Sequence, residues 1–117
     1  MIRVRGPGTS IREVVREAQE EGDDVSVVPA GATKAESLEL FAEVLGFPHW
    51  FGRNLDALAD CLHDYAEEPL THGRRHLVWD GVALLRRDHP DSYADLCGVL
   101  DEVSEDHEAL VVTVLDR

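Results

Sequence analysis

Two stretches of this chain contain no lysine or arginine at all. From Asn54 to Gly73 there are five carboxylates and no basic residue, and from Asp88 to Asp116 there are nine more, again without one. Lysine occurs once, as Lys34, beside ten arginines. Such a surface has no basic footprint for phosphates, so direct nucleic-acid binding is not expected. The two cysteines, Cys61 and Cys97, form no CxxC or CxxH pair and read as small core residues kept reduced inside a cell. No apolar run approaches the length of a membrane span. The opening Met1-Ile2-Arg3-Val4-Arg5-Gly6-Pro7 lacks the apolar stretch of a secretory leader, so the expected location is the cytoplasm. No glycine-rich loop follows a strand signal, and no serine sits in a GxSxG context.

What is present is an acidic chain of 117 residues with net charge −13 and 44% apolar residues. That is one domain with enough apolar surface for a core of its own. Its natural charged partner is a cation or a basic protein surface. Ser10 followed by Glu13, and Thr33 followed by Glu36, have capping-box spacing and open two helices. Gly46 ends the second, and Asn54 caps a third carrying Leu55, Leu58, Leu62 and Tyr65 on one face. Tyr93, Leu96, Leu100 and Val103 mark a later helix. Val25 to Pro29, His76 to Asp80 and Leu110 to Leu115 read as strands, and Ile2 to Arg5 as a short additional one. Strands separated by helices pair in parallel through crossovers. The expected class is α/β, a three-stranded parallel sheet, with an extra N-terminal strand as an option, packed with helices. No linker divides it, so residues 1–117 form one domain.

The helix after Asn54 carries the most information. Asp56, Asp60 and Asp64 follow at i, i+4 and i+8, on the face opposite Leu55, Leu58 and Leu62. Each like-charged pair opposes the helix by a few tenths of a kcal/mol. Acidic surfaces are usually solvated faces, but a stripe that opposes its own helix points to a partner. Asp91, Asp95, Glu102 and Asp106 repeat the pattern within about 60° of one another on the later helix. Asp60, His63 and Asp64 could together offer metal ligands, though no HExxH-type spacing accompanies them. The remaining histidines, His49, His72, His76, His89 and His107, read as surface residues. Trp50 and Phe51 are adjacent and cannot easily both enter a core, and an exposed aromatic beside carboxylates resembles an interface hot spot.

The string Phe47-Pro48-His49-Trp50-Phe51-Gly52-Arg53-Asn54-Leu55-Asp56-Ala57-Leu58-Ala59-Asp60-Cys61-Leu62 resembles the barstar family of intracellular ribonuclease inhibitors. The similarity extends from about Val25 to the C-terminus, with residues 1–22 as an N-terminal addition of strand and helix. The resemblance implies an inhibitor of a small secreted guanyl-specific ribonuclease. Its motif helix and preceding loop plug the enzyme's active site, with carboxylates standing where RNA phosphates bind. It implies no cofactor, no catalysis and a monomer when free. By position, Asp60 matches the central acid that meets the enzyme's catalytic cations. Gly52, Asn54, Leu55 and Asp56 match its neighbours in the contact surface, and Trp50 and Phe51 match an aromatic pair. Glu102 and Asp106 fall on a second acidic patch. Ala59 stands where a large aromatic is usual, and His63 and Asp64 where small residues are common. Arg53 adds a positive charge at the rim. The alternatives are a module of the same build aimed at another basic toxin, and a metal-dependent hydrolase built on Asp60, His63 and Asp64.

Overall fold

The computed structural model describes residues 2–117. Strands β1 (Ile2–Arg5), β2 (Asp24–Pro29), β3 (Arg75–Asp80) and β4 (Leu110–Leu115) form one parallel sheet in the order β1-β4-β3-β2. Between them run α1 (Ile11–Glu20), α2 (Lys34–Leu45), α3 (Leu55–Glu67), α4 (Ala83–Asp88) and α5 (Pro90–Asp106). The expected three parallel strands are present, and the optional N-terminal strand Ile2–Arg5 makes a fourth by pairing with β4 at an edge.

Topology decides which face each helix covers. The chain passes from β1 at one edge to β2 at the other, then returns through β3 to β4. Right-handed crossovers in opposite directions place their helices on opposite faces. Accordingly Val14 of α1 packs with Val78 and Leu115, while Leu38, Phe41, Leu58, Leu62, Leu96 and Leu100 pack with Leu77, Trp79, Val112 and Val114 on the other side. The strand residues of the two sets alternate, as the period of two requires. Trp79 centres the larger core, fully buried between Phe41 (ring centroids 5.7 Å apart) and Tyr93 (6.0 Å, stacked).

The helix ends follow the sequence signals. Ser10, Thr33 and Asn54 each accept a hydrogen bond from the backbone N–H three residues on, at 3.1, 3.1 and 2.8 Å. Gly46 closes α2 in the left-handed conformation (φ 69°), which costs a glycine nothing. The last turn of α3 holds no basic residue of its own. A buried arginine from β3 supplies one: Arg75 donates to the carbonyls of Tyr65 (2.6 Å) and Glu68 (3.1 Å) and lies over the Tyr65 ring. This cation at the carbonyl end ties α3 to the sheet and fixes its direction.

His76 corrects the expectation of a surface histidine. It lies buried on the α1 side of β3, with Nε2 2.8 Å from Thr113 Oγ1 and Nδ1 3.7 Å from the buried Asp23. Burial pushes its pKa below the ordinary imidazole value, outweighing the opposing pull of Asp23; Arg3 and Arg74 add to the lowering. The unfolded chain therefore takes up a proton near pH 6.5 that the fold refuses until lower pH. Stability is full above about pH 6.5 and falls as pH drops below it, by at most about 1.4 kcal/mol per pH unit, levelling once the folded imidazole is also charged. Thermal melts between pH 5 and 8 are expected to show a shallower decline for His76→Gln than for the parent chain; parallel profiles would show that His76 is not the group concerned.

Candidate protein-binding face

Three features of the local sequence hold α3 and its entry loop in place. Phe51 N–H donates to Pro48 C=O at 3.0 Å, closing a turn that splits the aromatic pair. Phe51 turns inward, edge-to-face on Phe47 at 5.2 Å, and Trp50 is left 63% exposed. Gly52 follows in a tight spot: a Cβ there would stand 3.1 Å from the Asn54 amide nitrogen, which would have to shift by a few tenths of an ångström to admit it. That amide donates to Gly52 C=O at 3.3 Å while its oxygen caps the helix.

Beyond the cap, Leu55, Ala57 and Ala59 are half-buried, Leu58, Cys61, Leu62 and Tyr65 are buried, and Asp56, Asp60 and Asp64 project to solvent. The three carboxylates rise about 6 Å apart along the axis. Among the described residues none of them has a hydrogen bond or an ion pair. Their field reaches the neighbouring thiol: burial pushes the Cys61 pKa up, and the charges of Asp64 and Asp60 push it further. Burial and the neighbouring carboxylates thus both favour the neutral thiol of Cys61 in the core.

α5 packs alongside α3 and presents Glu102 and Asp106 to solvent, also without ion pairs among the described residues. The seam between the two helices contains a contact that sequence reading missed. His63 Nδ1 lies 2.9 Å from His107 Nε2, with the rings 5.2 Å apart. His63 precedes Asp64 and His107 follows Asp106, so this contact seats the end of α5 beside the last turns of α3. His63 is half-buried and turned toward α5. Among the described residues, no group of three or more His, Cys, Asp or Glu side chains could hold a metal ion, so Asp60, His63 and Asp64 do not converge as ligands.

The charge is concentrated by pairing elsewhere. Arg5, Arg16, Arg74, Arg86, Arg87 and Arg117 are engaged by Glu17, Glu20, Glu21, Asp116, Asp88 and Asp80. Exposed pairs of this kind add little stability. Their effect is on the field: these pairs offset part of the negative charge elsewhere, while Asp56, Asp60 and Asp64 of α3 and Glu102 and Asp106 of α5 have no ion pair among the described residues. The face thus carries these unpaired carboxylates on two helices, with an exposed tryptophan near the start of α3.

Fold and face together define a small parallel α/β domain that offers an acidic helix. Residues 26–116 match the family described as Barstar (barnase inhibitor). This chain belongs to the barstar family. It is also similar to the Bacillus subtilis (strain 168) protein "Putative ribonuclease inhibitor YrdF", 39% identical over 66 residues. That match covers 56% of this chain and 64% of the relative's length, a little under two thirds of it. The family match takes in every residue of the acidic face and leaves out β1 and α1, which complete one sheet edge and the second sheet face. Among the described residues no helix is long and apolar enough to cross a membrane.

Proposed function

We propose that this protein is a cytoplasmic inhibitor of a small guanyl-specific ribonuclease, acting as a monomer without cofactor or catalysis of its own. The observation that carries this reading is the unpaired row Asp56, Asp60 and Asp64 on the exposed side of α3, held within the part of the chain that matches the barstar family. The similarity to a Bacillus subtilis protein named as a ribonuclease inhibitor supports the same class of partner.

The mechanism follows from electrostatics. A ribonuclease active site concentrates cationic side chains to hold phosphates and stabilise developing charge. Asp60, in the middle of the row, meets those cations, and Asp56 and Asp64 extend the contact along the cleft as successive phosphates would. Asn54 and Gly52 fix the loop that delivers the helix, while Trp50 and Phe51 form its apolar shoulder. Ala59, small and half-buried beside Asp60, leaves room for a side chain of the enzyme. Glu102 and Asp106 widen the acidic face, and the His63–His107 contact keeps the two rows in register. The desolvated carboxylates set the lifetime of the complex, and the wider field sets its rate of formation.

The test is titration of this chain against a panel of small guanyl-specific ribonucleases, with and without a chelator. Equimolar suppression of RNA cleavage that ignores chelator is expected. Binding without suppression would assign the face to another basic toxin domain. RNA cleavage by this chain itself, lost in chelator, would favour a metal-dependent hydrolase.

A further inference from the structure

Two cationic side chains stand at one margin of the acidic face, each ion-paired within the chain. Lys34, at the start of α2, and Arg53, in the loop before α3, stand on the rim of a cleft of about 590 Å³ between the N-terminal ends of the two helices. Ala35, Leu38 and Leu55 form an apolar part of its wall, and Asn54 and Asp56 of the face described above line it on the side away from Lys34's own helix.

Both cations are steered there from within the chain. Lys34 Nζ lies 3.5 Å from Asp95 of α5, and Arg53 pairs with Glu39 of α2. Neither is used up by its partner. An ammonium has three donors and a guanidinium five. The side chains remain 38% and 66% exposed, and among the described residues each makes a single ionic contact. Arg53 is also the one non-glycine residue with positive φ (51°) among the described residues. That conformation costs a side-chain-bearing residue of the order of 1 kcal/mol, and a glycine would avoid it. The position therefore carries a cation where the backbone would favour none.

A wholly basic partner surface would be repelled by these two charges while it was attracted to Asp60. Like charges facing each other across an interface cost affinity, and that is how a partner is excluded. We infer that the Lys34–Arg53 cleft is a specificity pocket that accepts an Asp or Glu side chain of the partner ribonuclease, its carboxylate lying between the two cations and its stem on Leu38 and Leu55. The inference rests on the inhibitor reading above. It adds that the cognate enzyme must carry an acidic residue flanking its catalytic cations.

Global charge and local contact give opposite expectations, which makes the test decisive. Arg53→Glu takes the net charge from −13 to −15, since one positive charge is replaced by one negative. Steering alone would then hasten binding to a basic enzyme. The pocket requires instead that dissociation quicken by about tenfold or more, as for loss of a desolvated charge contact. Arg53→Gly, which relieves the left-handed backbone while removing the charge, and Lys34→Glu, on a different element, should quicken it too. The measurement is stopped-flow association and dissociation against the ribonuclease that the panel titration identifies, with thermal melts to establish folding and Asp60→Ala alongside. Dissociation unchanged or slowed in the Arg53 and Lys34 variants, with Asp60→Ala still releasing the enzyme faster, overturns the pocket and leaves the inhibitor reading intact. Dissociation unaffected by Asp60→Ala as well overturns the reading on which the pocket rests.

Discussion

Asp60→Ala is expected to cost this protein at least about thirtyfold in ribonuclease inhibition while leaving its melting temperature unchanged or higher. The two halves have separate causes at one residue. In the free chain the Asp60 carboxylate is exposed and lies four residues from Asp56 and from Asp64, with no Lys or Arg within helical reach. Removing it relieves two repulsions of a few tenths of a kcal/mol each and substitutes a better helix former. It loses no hydrogen bond, since among the described residues Asp60 makes none. In the complex the same carboxylate is desolvated against cations, where truncating one partner costs roughly 2–5 kcal/mol. The lower figure alone is about thirtyfold, at about 1.4 kcal/mol per decade. Asp64→Ala should share the gain in stability with a smaller loss of inhibition, because Asp64 lies further along the face from the loop. Thermal melts and a ribonuclease titration on one set of variants measure both. A destabilised Asp60→Ala would make the residue structural, and undiminished inhibition would remove it from the contact.

Association with the basic enzyme should slow by about one to two orders of magnitude as salt rises from roughly 10 mM to roughly 1 M. Over that range the Debye length contracts from about 30 Å to about 3 Å. The chain's net charge of −13 is poorly offset on the α3 and α5 side, where Asp56, Asp60, Asp64, Glu102 and Asp106 have no ion pair among the described residues. The field that guides the encounter is therefore long-ranged in dilute salt and nearly extinguished at high salt. Dissociation should change far less, because the contacts that govern it are excluded from solvent. Stopped-flow rates flat across ionic strength would mean that the two rows of carboxylates do not face the partner.

The parts of this face that one helix determines were legible in the sequence. Asn54 as cap and the i, i+4, i+8 spacing of Asp56, Asp60 and Asp64 opposite an apolar stripe are local consequences of 3.6 residues per turn. Strands β2, β3 and β4 and their parallel pairing followed from alternation with helices. The option of a strand at Ile2–Arg5 was visible, but not its partner, since nothing in four residues says which edge they join. Contacts between distant residues were not legible. His63 meets His107 across 44 residues, and Lys34 meets Asp95 across 61. Neither has a spacing rule. His76 was misread because a polar residue at a strand start usually faces water. The available signal was Val78 two residues on, an inward position on the same side of the sheet, which becomes a buried side once α1 covers it. Arg75 was likewise unreadable, because its acceptors are backbone carbonyls of α3 and any residue type would supply them.

The central claim is that the carboxylates of α3 occupy the place of RNA phosphates in a ribonuclease active site. The most direct measurement is calorimetric titration of this chain into the identified ribonuclease, first alone and then saturated with an oligonucleotide analogue that it cannot cleave. Mutual exclusion is expected, with the apparent affinity falling in proportion to the analogue's occupancy and the same stoichiometry at the end. A ternary complex, in which enzyme holds analogue and this protein at once with undiminished affinity, would contradict it.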